Sequence, residues 1–186
     1  MHAPTIRIAL ASTLLLVATL AAAESTTVRT FVIPEHGSVQ LSAPESWPVE
    51  MRDAHNRTLP TIAFGPNEGA TYQVLITPLA PTRKDGPPLA ASAVKQMVEQ
   101  AAQEARTQSV EKTLTIKELK AGNNAGYYFS ATDRAPKPDE YKNLTQGVLS
   151  LGDVLLTFTI LTNDGYESIV PAALTMIKSA VLVRDM

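Results

Sequence analysis

Past residue 23 the chain holds two histidines, His36 and His55, and each stands near a carboxylate: Glu35 precedes His36, and Asp53 lies two places before His55. Two imidazoles and two carboxylates are enough to ligate zinc or copper, if both loops cap the same end of a sheet. The spacing matches no established ligand pattern, and a lone loop histidine seldom acts, so the expectation for each is a surface turn residue. A serine hydrolase needs a nucleophile on a strained turn, a histidine base and an acid. No Gly-x-Ser-x-Gly occurs, and Ser150 stands at the wrong spacing between Gly147 and Gly152. There is no cysteine, which removes thiol chemistry and disulfide staples together. Phosphate cradling requires a glycine-rich loop that opens a helix. Gly122 to Gly126 joins two expected strands instead, and Asp164 ahead of Gly165 would repel an anion. The adjacent pair Asp139 and Glu140 reads as a solvated face. No catalytic residue, metal ligand or cofactor is expected.

What remains is recognition. Two loops, Ala80 to Pro88 and Asp133 to Glu140, combine prolines with both signs of charge: Arg83, Lys84 and Asp85 in the first, Arg134, Lys137, Asp139 and Glu140 in the second. Stiff, charged, protruding loops suit protein recognition, although ordinary solvated connections share that composition. Trp47, the sole tryptophan, stands in the bracketed turn Pro44 to Pro48. It is expected to plug the end of the core; an aromatic ligand platform is the sharper alternative.

These loops need a scaffold, and the segment from Tyr141 to Leu161 is its centre. Val154, Leu156, Phe158 and Ile160 alternate with Leu155, Thr157, Thr159 and Leu161, and Gly152-Asp153 breaks the segment into a hairpin. Both sides of the second arm can be buried, which puts the hairpin mid-sheet with material on each face. Upstream, Glu24 to Arg29 reads as a frayed lead. Strands are expected at Thr30 to Ile33, Ser38 to Ala43, Val49 to Arg52, Leu59 to Phe64, Thr71 to Thr77, Lys112 to Lys120 and Tyr127 to Thr132. Helical spacing of Val94, Met97, Val98, Ala101 and Ala105 predicts a helix over Leu89 to Thr107. A second helix is expected over Ser168 to Val183, with Ile169, Ala173, Met176, Ile177 and Ala180 as its apolar stripe and Pro171 in its first turn. The order implies an α+β fold, an antiparallel sheet with helices on opposite faces, in one domain over residues 24–186.

The first 23 residues read as a secretory leader: His2 and Arg7, an apolar run from Ile8 to Leu20, then Ala21-Ala22-Ala23 before Glu24. The run is short for a membrane span. Cleavage near Ala23 would deliver the domain to the periplasm or outside the cell. The alanine-rich leader and the lack of cysteine fit a bacterial envelope. Net charge is −2, about −3 once Arg7 leaves, and no Lys/Arg cluster offers a nucleic-acid surface. Asn56-Arg57-Thr58 and Asn143-Leu144-Thr145 match the glycosylation pattern, which matters only in a eukaryotic secretory route.

On these residues the chain resembles the PsbP/DcrB-like superfamily. The pieces are His36-Gly37 with Leu41, Pro44 and Trp47; Ile62-Ala63-Phe64 before Gly65-Pro66; a strand ending Thr77-Pro78; Gly126-Tyr127-Tyr128-Phe129; and Phe158 to Leu161 leading to a helix that ends Ile177-Lys178-Ser179. The resemblance covers nearly all of Glu24 to Val183. It implies a sheet sandwiched between helices (the PsbP-like α/β/α sandwich) and a role in binding or assembly without catalysis. Members include an extrinsic photosystem II subunit, a factor that binds a small nuclear GTPase, and bacterial envelope proteins. The metal and chloride effects of the photosynthetic members have no matching residues here. The leading expectation is therefore an exported binding or assembly module for a protein partner in the envelope, with oligomeric state open. The alternatives are a metal-dependent or hydrolytic enzyme using His36 and His55, and a small-molecule carrier with a cavity beneath Trp47.

Overall fold

The computed structural model describes residues 24–52, 60–66, 71–80 and 87–184. The leader, His55 with its loop, the Asn56 pattern, and Arg83, Lys84 and Asp85 lie outside the described residues. In chain order the elements are β1 (Thr26–Ile33), β2 (Gly37–Pro44), β3 (Val49–Arg52), β4 (Thr61–Phe64), β5 (Tyr72–Leu79), α1 (Ala91–Ala105), β6 (Lys117–Glu118), β7 (Gly126–Thr132), β8 (Asn143–Leu151), β9 (Val154–Thr162), α2 (Ile169–Lys178) and β10 (Val181–Val183).

A seven-stranded antiparallel sheet runs β3-β4-β5-β9-β8-β7-β6, and a three-stranded sheet runs β1-β2-β10. β8 and β9 form the expected hairpin, closed by the Leu151–Val154 pair around Gly152-Asp153. β9 is the middle strand of the large sheet, as two-sided burial demanded. Leu156, Phe158 and Ile160 are buried on one face with α2 and the small sheet, in a core shared with Phe31, Val39, Leu41, Phe64, Ile76, Met176 and Ile177. Leu155 leans to the other face, where Val94, Val98 and Ala102 of α1 pack on Phe129, Ala131 and Val148. The two helices thus lie on opposite faces of one antiparallel sheet, the α+β sandwich expected.

Several boundaries differ from the sequence reading, each for a packing reason. The segment taken as a frayed lead is strand from Thr26, because Thr26 to Arg29 pair with Leu41 to Pro44. The expected strand Lys112 to Lys120 shrinks to Lys117–Glu118. Leu114 and Ile116 alternate because they pack beside α1, not because they join the sheet. The last helix stops at Lys178 instead of Val183. Ser179 caps it, its N–H donating to Thr175 O and Met176 O and its hydroxyl donating to Met176 O (2.6 Å) and accepting from Ser42 N–H (2.9 Å). The β-prone Val181-Leu182-Val183 then pairs with β2 and completes the small sheet. Pro171 sits in the first turn of α2, where a missing N–H costs no helix bond. On α1, Val94, Val98 and Ala102 carry the burial, while Met97 is exposed.

Trp47 is core packing. It is buried, with ring centroids 5.4 Å from Tyr72 and 6.4 Å from Phe64, and Arg29 donates to its carbonyl at 3.0 Å.

Candidate interaction site

α1 lies over β7 and β8 and leaves a hollow beyond its C-terminal turn. The chain leaves the helix through Gln108 and Ser109 and crosses back to the end of β7. Val110 N–H donates to Thr132 O (2.8 Å), Arg134 N–H to Gln108 O (2.9 Å), and the Arg134 guanidinium to Ser109 O (2.8 Å). The Glu111 carboxylate fixes this crossing by accepting from Thr132 N–H (2.9 Å) and from the Ser109 hydroxyl. Burial works to raise the Glu111 pKa. The bonds from Ser109, the Thr132 backbone and its own N–H prevail and hold it at about 2.

The hollow encloses about 440 Å³. Ala101, Ala105, Ala131, Leu144 and Leu161 give it an apolar floor; Gln108, Asp133, Tyr141 and Gln146 supply polar groups. Burial raises the pKa of Tyr141, against an opposing pull from the charge of Arg52. The neutral phenol can both donate and accept a hydrogen bond. Lys142 donates to both carboxylate oxygens of Asp164 (2.7 and 3.0 Å). An apolar floor with a few converging polar groups is the ordinary make-up of a site that takes a partner's side chain or a small organic group.

The loop singled out in the sequence borders this hollow. A second one, about 350 Å³, is lined by Gln108, Asp133, Arg134, Ala135, Lys137 and Glu140. The loop is stitched internally. Ala135 N–H donates to Asp133 Oδ1 (2.9 Å), Lys137 N–H to Glu140 Oε2 (3.0 Å), and Glu140 N–H to Lys137 O (3.1 Å). Asp139 takes a left-handed backbone, φ 68°, between Pro138 and Glu140. Arg134, Lys137, Asp139 and Glu140 are all exposed. Of these, Arg134 is committed to Ser109, and Lys137 and Glu140 face each other as an exposed ion pair at 3.4 Å.

The histidine expectation needs correcting. His36 is buried, not on the surface, and its Nδ1–H donates to Asp153 Oδ2 at 3.3 Å. The carboxylate accepts only, so the proton on that edge belongs to Nδ1. Asp153 also accepts from Arg184 at 2.5 Å. Burial acts to raise the Asp153 pKa, but the Arg184 hydrogen bond and charge, its own N–H and His36 together lower it. The cluster ties three distant points: the β1–β2 turn, the β8–β9 turn and the segment after β10. A carboxylate that orients an imidazole is also found in catalytic sites, yet among the described residues no group of three or more His, Asp or Glu could hold a metal ion.

Sequence reasoning found the 133–140 loop and missed the hollow beside it. Gln108 and Ser109, Ala131 to Asp133, Tyr141 to Gln146, and Leu161 are four separate stretches, so no local pattern joins them. Ser109 was the available signal, since a serine hydroxyl can close a local turn by accepting from the backbone N–H two residues on, as it does here from Glu111 N–H at 3.0 Å.

No protein-family model and no curated protein matches the sequence. Among solved structures, the chain is similar to the solution structure of cyanobacterial PsbP (CyanoP) from Synechocystis sp. PCC 6803. The TM-score is 0.51 at 11% identity, over 88% of this chain and 96% of that one. It is also similar to a crystal structure of a protein from Bacteroides thetaiotaomicron VPI-5482, with TM-score 0.50 at 12% identity, over 84% of this chain. The match spans 48%, about half, of that protein. At such identity the likeness is one of fold, and the fold is PsbP-like. Among the described residues no helix is long and apolar enough to cross a membrane.

Proposed function

We propose that this chain is an exported, non-catalytic binding or assembly module, acting in the periplasm or outside the cell on a protein partner of the envelope. The contact surface is the 133–140 loop with the hollow at the end of α1. The observation that carries this reading is the union of a pre-ordered charged loop with an apolar-floored recess. A loop already held by its own bonds loses little entropy on docking, and the recess gives a partner side chain somewhere to go. The PsbP-like fold supports it by analogy, since the superfamily resemblance implies binding without catalysis.

The buried His36–Asp153 pair is the feature that favours an enzyme. It joins two turns and the C-terminal segment, so a structural role accounts for it. Trp47, buried against Phe64 and Tyr72, supports a packing role for that residue over a ligand platform.

Two measurements test the proposal. Mass spectrometry of the protein recovered from cells should find Glu24 as the first residue, and an intact Met1 in the membrane fraction would refute export. Cross-linking in the envelope, followed by identification of what joins residues 133–141, should yield a partner that a Lys137→Glu, Tyr141→Ala variant no longer captures.

A further inference from the structure

Among the described residues four strands lie at sheet edges, and three are short: β3 has 4 residues, β6 has 2 and β10 has 3. Brevity is a usual way to keep an edge from recruiting other chains. β1 is different. It is 8 residues long, with the sequence Thr-Thr-Val-Arg-Thr-Phe-Val-Ile, and among the described residues it pairs only with β2. It holds no proline and no lysine, and its one charge, Arg29, is turned onto the carbonyls of Trp47 and Glu45. Phe31 and Ile33 point into the core, while Val28 and Val32 on the outer face are 61% and 69% exposed. Such an edge presents the N–H and C=O groups of alternate residues to any extended partner.

We propose that β1 pairs antiparallel with β1 of a second copy of this chain, about a two-fold axis at Thr30, fusing the two small sheets into one. The argument is self-complementarity. About Thr30 the outward-facing residues repeat, valine on each side at Val28 and Val32. Val28 meets the second copy's Val32, Thr27 meets its Ile33, and Thr30 meets its own counterpart. These are β-branched cross-strand pairs, the kind that stabilise a sheet. Each Arg29 falls opposite a phenylalanine, so no like charges face each other. An axis at Arg29 would set two guanidinium groups directly across the ladder, and an axis at Phe31 would set Thr26 and Thr27 opposite the partner's turn instead of its strand. The two-fold also consumes the long edge on both copies, which a head-to-tail contact would leave open to filaments.

The chain contains no cysteine, which makes the test specific to register. The protein is purified from cells expressing the full chain and oxidised mildly. Thr30→Cys should form a disulfide-linked dimer by itself. Val28→Cys and Val32→Cys should each stay unlinked alone and cross-link when mixed, because only facing positions bring the β-carbons within bonding distance. In sedimentation, the native protein should be a dimer that dissociates on dilution. Thr30→Lys should be a monomer at the same concentrations, with the unfolding midpoint that the native protein shows once diluted to its monomer. A native monomer at every concentration, a dimer that survives Thr30→Lys, or cross-linking of Val28→Cys with itself would overturn the proposal. If Thr30→Lys does not fold, the cysteine pattern decides alone. Capture of a strand from another protein by a native monomer would also count against it.

Discussion

Gly147 and Phe158 stand opposite each other across the β8–β9 pair, and the phenyl ring of Phe158 lies where a side chain on residue 147 would be. A β-carbon built on Gly147 would come within 2.4 Å of the ring and 2.4 Å of Tyr127 O. Backbone cannot give way as a flexible side-chain tip can, so the ring's seat depends on glycine. Gly147→Ala is expected to destabilise by about 1–3 kcal/mol, the usual range for overpacking. Phe158→Ala, which empties the same place from the other side, is expected to lose about 3–5 kcal/mol. Because the two residues touch, the double variant should lose less than the sum. Denaturant midpoints of the three variants, with unchanged slope, check this. Strict additivity would mean the ring does not rest on Gly147.

Asp153 anchors the other end of the sandwich. Its side chain is fully buried between His36 and Arg184, whose own side chain is 42% exposed. Asparagine keeps one acceptor oxygen for the buried imidazole but removes the charge that faces the Arg184 guanidinium. Asp153→Asn should therefore cost about 1–3 kcal/mol, less than the loss of one partner from a pair buried on both sides. Its depressed pKa also fixes the sign of a pH effect. The contribution is present above the unfolded value, near 4 for Asp, and is lost as pH falls through the folded value. Thermal unfolding of the native protein should decline more steeply below about pH 4 than that of Asp153→Asn.

Glu111 gives a second acid-side effect at the candidate site. Its pKa drops from 4.5 to about 2, so its stabilisation is complete above pH 4.5 and disappears toward pH 2. Glu111→Gln should lower stability at pH 7 and flatten the decline over that interval. A parallel curve for the variant would mean that the Ser109 and Thr132 bonds do not favour the ionised form.

Ser150 is buried on β8, and among the described residues its hydroxyl has no hydrogen-bond partner. An unpaired buried hydroxyl carries a desolvation penalty with no return. Ser150→Ala is expected to be neutral or stabilising by up to about 1 kcal/mol, read as a rise in the denaturant midpoint. A loss above that would mean that a hidden water or partner satisfies the hydroxyl.

The parts of this fold legible in the sequence were those set by local alternation. β9 announced its central place because Leu155 and Leu161 fall on one side and Leu156, Phe158 and Ile160 on the other. Trp47, bracketed by prolines, was expected in the core and lies there. What was not legible depended on partners far along the chain. Thr26 to Arg29 became strand only because β2 lies beside it, and Val181 to Val183 left the helix for the same strand. Period alone cannot separate the end of an apolar helix from a short buried strand. His36 looked like a surface residue because its acid, Asp153, is 117 positions away. The hollow at the end of α1 was hidden for the same reason, since its walls come from four separate stretches of the chain.

Lys137 offers the cleanest separation of recognition from stability. Its side chain is 79% exposed, and among the described residues its ion pair is with Glu140 at 3.4 Å, within the loop rather than to the core. An exposed pair of this kind contributes little, so Lys137→Glu should shift stability by no more than about 0.5 kcal/mol. Tyr141→Ala alters the wall of the hollow and should cost somewhat more, since the ring is half-buried. If the loop and the hollow act as one surface, each change should weaken partner capture, and the pair together should lose more than either alone. Charge reversal acts mainly through attraction at the rim, so its effect should fade as salt is raised. Loss of the ring should persist at high salt, because it removes apolar contact. Capture measured at low and high salt for the native chain and both variants checks this. Equal capture by all three would remove the loop from the recognition surface even with the fold intact.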